Sequence, residues 1–95
     1  MARYIILSRI ASDAFADPKD FKKLAESVSA RIKKECPGVK WRDSYITLGR
    51  FDIIDIVESE DPGQIEKAIM IIRAYGHART ETMMATPWKE AMSRY

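Results

Sequence analysis

YITLGRFDIIDIVE, residues 45–58, decides the fold, because two runs of β-forming residues flank a turn at Gly49-Arg50. Glycine supplies the backbone freedom that a tight hairpin turn requires, so we interpret Gly49 and nearby Phe51 as structural turn residues. Asp52 follows directly and brings a charge to the start of an apolar strand. The pattern predicts a β-hairpin with strands over residues 39–48 and 51–58.

The segment before the hairpin predicts one strand and one helix. Residues 4–10 are dominated by β-branched and aromatic side chains, which is typical of a strand. Asp17 is a capping residue and Pro18 suits the first turn of a helix, so together they mark a helix start. Pro37-Gly38 marks the end of this helix.

The segment after the hairpin predicts a second helix, a fourth strand and a short terminal helix. Asp61 caps the second helix, and Gln64, three residues later, is placed to bond the free amide of the cap. Gly76 ends this helix. A strand over residues 77–85 follows, and Thr86-Pro87 begins the terminal helix.

The predicted element order is βαββαβ with a helical tail, which is the split βαβ arrangement. We therefore expect an α+β, ferredoxin-like fold: an antiparallel sheet with two helices on one face, plus a short C-terminal helix. A length of 95 residues fits a single domain over residues 1–95. The hydrophobic share of 46% and the charged share of 32% are typical of an ordered chain.

Both faces of the two central strands are apolar, although the helices cover only one face. Alternation along a strand separates these side chains into two sets. In the first strand Tyr4 and Ile6 oppose Ile5 and Leu7, and in the third strand Phe51, Ile53 and Val57 oppose Ile54 and Ile56. A monomer would expose the uncovered apolar face, so we predict a homodimer formed by sheet packing and open to further association. Met70 and Ile71 lie off the apolar stripe of the second helix and suggest additional burial; the stripe is Ile65, Ala68, Ile69 and Ile72.

Charge and cysteine content exclude several partners. The net charge is only +2, from 16 basic and 14 acidic side chains, so we expect no nucleic-acid partner. RNA-recognition domains share the element order, but residues 50–54 lack their glycine pattern and place an acid, Asp52, beside the stacking candidate Phe51. The N-terminal apolar run is too short for a signal peptide or membrane span. With Cys36 as the single cysteine, these features predict a reduced, cytoplasmic protein without a membrane partner.

Two short segments resemble the GYD-domain family, named for a glycine, tyrosine and aspartate signature. They are Gly49-Arg50-Phe51-Asp52 with the following apolar strand, and Arg79-Thr80-Glu81-Thr82. The resemblance implies a ferredoxin-like fold that pairs its sheets into a dimeric α+β barrel, and it implies no particular reaction. Phe51 stands where the signature has tyrosine, so a role for a phenolic hydroxyl there does not transfer to this chain.

Four residues are candidates for ligand contact: Asp52, Arg79, His77 and Tyr45. Asp52 is either a ligand contact or base, or a cap that bonds amides near Gly49. Arg79 suits a carboxylate or phosphate, and equally an ion pair between subunits or strands. His77 is a general base or haem ligand, or, as is more usual at a helix end, a capping or surface residue.

Two further residues are interpreted as structural. Asp55 interrupts an apolar run, and we expect it at a rim or in a salt bridge, facing water, an interface or a partner cation. Trp41 is interpreted as a surface residue of the second strand.

The sequence predicts no cofactor and no metal. One histidine and one cysteine do not make a zinc site, and neither a glycine-rich phosphate loop nor a nucleophile elbow is present. Dimeric-barrel enzymes that use asparagine, tryptophan and histidine together are excluded, because the chain has no asparagine.

Two functions therefore stay open. One is a small-molecule-binding or regulatory homodimer, with a small acidic or aromatic ligand. The alternative is a cofactor-independent enzyme, monooxygenase-like or isomerase-like, that acts on a small polar-aromatic substrate in the barrel. A pocket that holds Asp52 or Arg79 with a second polar group would favour a ligand site over a purely structural role.

Overall fold

The computed structural model describes residues 1–95 and contains four strands and three helices. The strands are β1 (Ala2–Ile10), β2 (Lys40–Ile46), β3 (Ile53–Ser59) and β4 (Ala78–Ala85), and the helices are α1 (Pro18–Glu35), α2 (Pro62–Tyr75) and α3 (Trp88–Met92). No helix combines the length and the apolar composition that crossing a bilayer requires.

The four strands form one antiparallel sheet in the order β2-β3-β1-β4. The first and third strands of the chain therefore lie at the centre, as the split βαβ order predicts. In the register, Ile6 of β1 lies opposite Asp55 of β3 and Thr82 of β4. The α+β, ferredoxin-like fold expected from the sequence is confirmed.

The core lies between the sheet and the helices. Tyr4, Ile6 and Val57 supply the sheet side. The helix side consists of Ile32 and Cys36 at the end of α1 and Ile65, Ala68, Ile71 and Ile72 of α2. Ile71, for which additional burial was expected, is only 6% exposed in this core, because α2 packs against both α1 and the sheet. Met70 is exposed.

Both predicted helix caps form, with one difference. Asp17 Oδ1 accepts from the Lys19 amide at 2.8 Å, and Asp61 Oδ1 accepts from the Gly63 amide at 2.9 Å. Gln64 does not bond back to the Asp61 amide: its Oε1 accepts from the Gly38 amide at 3.2 Å instead. Gln64 thereby links the start of α2 to the turn after α1, a contact between segments distant in sequence.

The end of α2 depends on two residues. Gly76 keeps a helical backbone with φ −88°, and a Cβ there would lie 2.5 Å from the Ile72 carbonyl oxygen. His77 has the positive φ, 51°, and its carbonyl accepts from the Ala11 amide at 2.9 Å. The chain thus reverses at His77, and β4 begins one residue later than predicted, at Ala78.

The hairpin is present, but its connection is longer than predicted. β2 ends at Ile46 and β3 begins at Ile53. Within the loop, Thr47 Oγ1 donates to the Phe51 carbonyl at 2.7 Å, and the Thr47 amide donates to the Asp52 carbonyl at 2.9 Å. Gly49 has φ 152°, a backbone conformation that side-chain-bearing residues rarely adopt.

The sheet face opposite the helices carries an apolar stripe bordered by charges. Its half-buried stripe is Ile5, Leu7, Ile54 and Ile56. At one end, Glu58 pairs with Arg42 and with Arg3, the latter at 3.6 Å. The hydrogen bond from Arg42 lowers the pKa of the Glu58 carboxyl, and both arginine charges act in the same direction. We call this surface the open face.

Candidate ligand-binding site

A cavity of about 510 Å³ separates α1 from the sheet. The C-terminal half of α1 is held on α2, since Ile32 is buried, Arg31 lies 3.8 Å above the Tyr75 ring and Glu35 pairs with Lys67 at 3.8 Å. The earlier apolar residues of α1 instead face the cavity. Its walls include Phe21, Leu24, Val28, Ile46, Ile53 and Ile72. This volume falls within the range of roughly 300–1,000 Å³ that is typical of small-ligand pockets.

Asp55 of β3 places a carboxyl inside this apolar cavity. It is only 7% exposed, because strand alternation puts it on the helix face together with Val57 and Ser59. Its Oδ1 accepts from Ser44 Oγ at 2.5 Å and from Trp41 Nε1 at 3.1 Å. Burial raises the pKa of the Asp55 carboxyl, and the two hydrogen bonds partly oppose that shift. Neither hydrogen bond involves Oδ2.

A β-bulge brings both donors to Asp55. Trp41 lies opposite Val57 and Ser44 lies opposite Asp55, with the register shifting between Trp41 and Asp43. In a regular strand, residues three apart would point to opposite faces. The extra residue of the bulge, Arg42, puts Trp41 and Ser44 on the same face. Trp41 Nε1 also donates to Ser44 Oγ at 2.9 Å, which completes a small polar network.

Ser8 of β1 is the second buried polar group of the cavity. It is 2% exposed and lies opposite Ile53, diagonally across from Asp55 on the same face. Its Oγ is buried and has no hydrogen-bond partner. An unpaired buried hydroxyl destabilises a fold by about 1–3 kcal/mol, so this atom requires an explanation.

No cation balances Asp55. The other charged residue that borders the cavity is Lys33, which is exposed on α1, and Asp55 forms no salt bridge. The expectation for Asp55 was therefore wrong: it lies neither at a rim nor in an ion pair. Alternation with Ile53 and Val57 was the available signal, because it predicts the helix face for Asp55.

Trp41 is a surface residue of β2 as predicted, 38% exposed, but its indole nitrogen also donates to the Asp55 carboxyl. No sequence signal identifies this contact. It depends on the bulge, which appears only once β2 is paired with β3.

The four candidate residues from the sequence lie on the hairpin (Tyr45 and Asp52), at the end of α2 (His77) and on β4 (Arg79). Asp52 Oδ2 accepts from the Ile10 amide at 2.8 Å, and its own amide donates to the Ser8 carbonyl at 2.9 Å, so it fastens the hairpin loop to β1. The bonded amide belongs to β1 and not to the turn around Gly49. Tyr45 borders the cavity, whereas Asp52, Arg79 and His77 do not.

Arg79 lies on the open face, exposed and directly opposite Arg9, with no acid in ion-pair range. His77 is exposed at the reversal after α2. Ligand contact by Asp52, Arg79, His77 and Tyr45 stays a prediction.

The family model of the GYD domain matches residues 4–94. The chain belongs to the GYD-domain family. This match confirms the resemblance found in the hairpin and in β4. The family model covers nearly the whole chain, beyond those two segments.

Three proteins illustrate what this GYD domain is similar to. A protein of Thermus thermophilus, described as a glutamine synthetase and cystathionine beta-lyase binding protein, is 24% identical over 94 residues, covering 99% of this chain and 98% of the relative. The structure of FFRP-DM1 is 26% identical with a TM-score of 0.59, covering 90% of this chain and 100% of that one.

The third is the feast or famine regulatory protein of M. tuberculosis, solved in complex with L-methionine. It is 14% identical with a TM-score of 0.62, and the match covers 92% of this chain and 51% of that one. The chain therefore spans about half the length of that regulator. At this identity the likeness shows the fold alone.

Proposed function

We propose that this GYD protein is a small regulatory binding protein that acts as a homodimer and takes a small molecule in the cavity beneath α1. The observation that carries the proposal is a pair of buried polar groups, Asp55 and Ser8, in a mainly apolar cavity of about 510 Å³. Ligand sites typically combine apolar walls with a few such polar groups. Neither group contributes to the apolar packing that stabilises the fold.

A regulatory role is supported by the relatives. The Thermus thermophilus relative is described as a binding protein for two enzymes, and the M. tuberculosis regulator with the same fold was solved with L-methionine. A small protein whose binding to a protein partner depends on a small ligand would agree with both the enzyme-binding relative and the methionine-bound regulator.

The homodimer is supported by the open face. Its apolar stripe is bordered by exposed charges of both signs that have no partner within the chain: Arg9 and Arg79 opposite each other, Glu81 on β4 and Asp43 on β2. A two-fold axis brings the same surface of a second copy against this one, so acids and arginines of the two copies can pair. Pairing between copies also removes the repulsion between Arg9 and Arg79.

The ligand site is tested by filling the cavity. Ala25 borders the cavity, whereas Ala30 lies on the same helix away from it, and both are exposed. We expect Ala25→Trp to abolish the thermal stabilisation that a bound small molecule gives, and Ala30→Trp to preserve it. A panel of small amines, alcohols, carboxylates and aromatic compounds, followed by thermal shift and calorimetry, provides the ligands. Equal responses of the two variants, or no binding by any compound, would overturn the proposal.

A second candidate is a cofactor-independent enzyme that uses Asp55 as a base on a small polar-aromatic substrate. It is favoured by the direction of the Asp55 pKa, because a base works best when its pKa approaches the working pH. Mass spectrometry of compounds incubated with the protein separates the two functions. A product that wild type forms and Asp55→Asn does not would establish the enzyme, and unchanged bound compounds support the binding protein.

A further inference from the structure

We infer that the cavity recognises an ammonium group on a short apolar chain, held by Asp55 and Ser8. This chemistry is shared by apolar alkyl or arylalkyl amines and by the amino end of apolar amino acids. The inference rests on the proposed function, because it names the ligand class of the same cavity.

The first step concerns charge. Asp55 is a buried carboxyl without a cation, and Trp41 and Ser44 already donate to its Oδ1. Those donors hold the carboxylate in place and leave Oδ2 to accept a further hydrogen bond. Burying an uncompensated charge is unfavourable, so a ligand that brings a positive charge gains more here than a neutral one. An anionic ligand would meet the carboxylate at close range in an apolar setting and is disfavoured.

The second step concerns hydrogen bonds. An ammonium group has three donors and no acceptor, whereas Oδ2 of Asp55 and the hydroxyl oxygen of Ser8 are both acceptors. Ser8 Oγ has no partner within the chain. Asp55 and Ser8 are diagonal neighbours on one face of the sheet, and both line the cavity. The Cα atoms of such neighbours are roughly 7–8 Å apart. One ammonium can therefore satisfy both atoms.

The third step concerns the rest of the ligand. The walls around the two acceptors are aliphatic and aromatic, among them Phe21, Leu24 and Val28 of α1. They suit an apolar chain or ring attached to the ammonium group. Lys33 borders the cavity from α1 and is the one group there that could attract a carboxylate. An amino acid would use Lys33, and a simple amine would not.

The test compares ligands that differ in one group. Calorimetric titration at pH 7 uses 2-phenylethylamine, 2-phenylethanol, 3-phenylpropanoate, L-phenylalanine and L-methionine. We expect the amine to bind at least tenfold more tightly than the alcohol, and the carboxylate more weakly than both. If the amino acids bind more tightly than the amine, and Lys33→Gln removes that difference, the ammonium group comes from an amino acid. If the amine binds more tightly than the amino acids, the ligand is a simple amine.

Two variants make the test specific to the acceptors. Asp55→Asn should weaken amine binding at least tenfold and leave the alcohol within about twofold. Ser8→Ala, which removes an atom that has no partner, should weaken amine binding severalfold without loss of folding by circular dichroism. Ser27→Ala, on the exposed side of α1, is the matched control and should bind like wild type.

The failures are distinguishable. If the alcohol or the carboxylate binds best and Ala25→Trp abolishes that binding, the cavity is a ligand site and the ammonium inference is overturned. If Asp55→Asn and Ser8→Ala both bind the amine like wild type, the inference is likewise overturned. If no compound binds, both the proposed ligand site and the ammonium inference are overturned.

Discussion

Asp55 shows how one residue can link stability to pH. Its pKa is raised by burial, so the folded chain retains a proton at pH values where the unfolded chain has lost it. Asp55 therefore contributes most to the free energy of unfolding at low pH. This contribution is lost as the pH rises from the pKa of the unfolded chain, about 3.9, through the higher pKa of the folded chain. Lys33 and Tyr45 are the other titratable groups that border the cavity.

Asp55→Asn should accordingly be more stable than wild type at pH 7, because asparagine does not ionise and its side-chain oxygen can still accept from Trp41 and Ser44. The difference should shrink as pH falls toward 3, where the unfolded carboxyl is also protonated. Urea unfolding at pH 3, 5 and 7 measures this, with exposed Asp13→Asn as the control. A variant less stable than wild type at pH 7 would contradict the burial argument.

His77 concentrates backbone strain in one exposed residue. Its φ of 51° is unfavourable for a residue with a side chain, typically by about 1–2 kcal/mol. His77→Gly should therefore raise the free energy of unfolding by about 1 kcal/mol, since glycine adopts this φ freely but loses more chain entropy on folding. The matched change Gly76→Ala should destabilise, because its Cβ would meet the Ile72 carbonyl oxygen. Chemical denaturation of both variants checks the pair, and a destabilised His77→Gly would refute it.

Residue roles were the least predictable part of the sequence. Asp17 and Asp61 cap helices as predicted, because a cap depends on residues adjacent in the chain. Asp55, Trp41 and Gln64 instead bond partners that are distant in sequence or brought close by a bulge. Their roles depend on strand pairing and helix packing, which a single sequence does not determine.

At the scale of elements, the loop between β2 and β3 tests the glycine argument. Gly49 has φ 152° and open space around it, so a side chain there would be strained by the backbone and not by a clash. We expect Gly49→Val to destabilise the protein by about 1–3 kcal/mol and to lower its melting temperature. Leu48→Val, at the exposed neighbouring position, is the control. If both variants melt like wild type, the loop does not require glycine.

Helices and strands were predicted nearly in full, whereas the ends of the two hairpin strands were not. Apolar periodicity and local capping signals identify each element, and these are properties of consecutive residues. The hairpin strands are shorter than predicted because Thr47 and Asp52 bond within the loop and to β1. The cavity was not predicted, because it depends on how far α1 stands from the sheet.

At the scale of the whole molecule, the two sheet faces have different roles. The face under the helices stabilises the fold, and the open face is the proposed interface between two copies. Ile6 is fully buried under the helices, and Ile54 lies half-buried on the open face. Ile6→Ala should cost about 2–5 kcal/mol of folding stability by leaving a cavity. Ile54→Lys should instead convert the proposed homodimer to a folded monomer, because it brings a charge into the interface between copies.

Sedimentation equilibrium at micromolar concentration and circular dichroism together measure both effects. Met70→Lys, exposed on α2, is the control for an added charge and should stay dimeric. A wild-type protein that sediments as a monomer would contradict the dimer, whatever the variants do.

The central claim is that the cavity beneath α1 is a ligand site. A crystal structure of the protein with 2-phenylethylamine tests it most directly. The account predicts density for the ligand between α1 and the sheet, with its nitrogen within hydrogen-bond distance of Asp55 Oδ2 and Ser8 Oγ. A structure in which α1 closes onto the sheet, so that its own side chains fill the cavity in the presence of the amine, would contradict it.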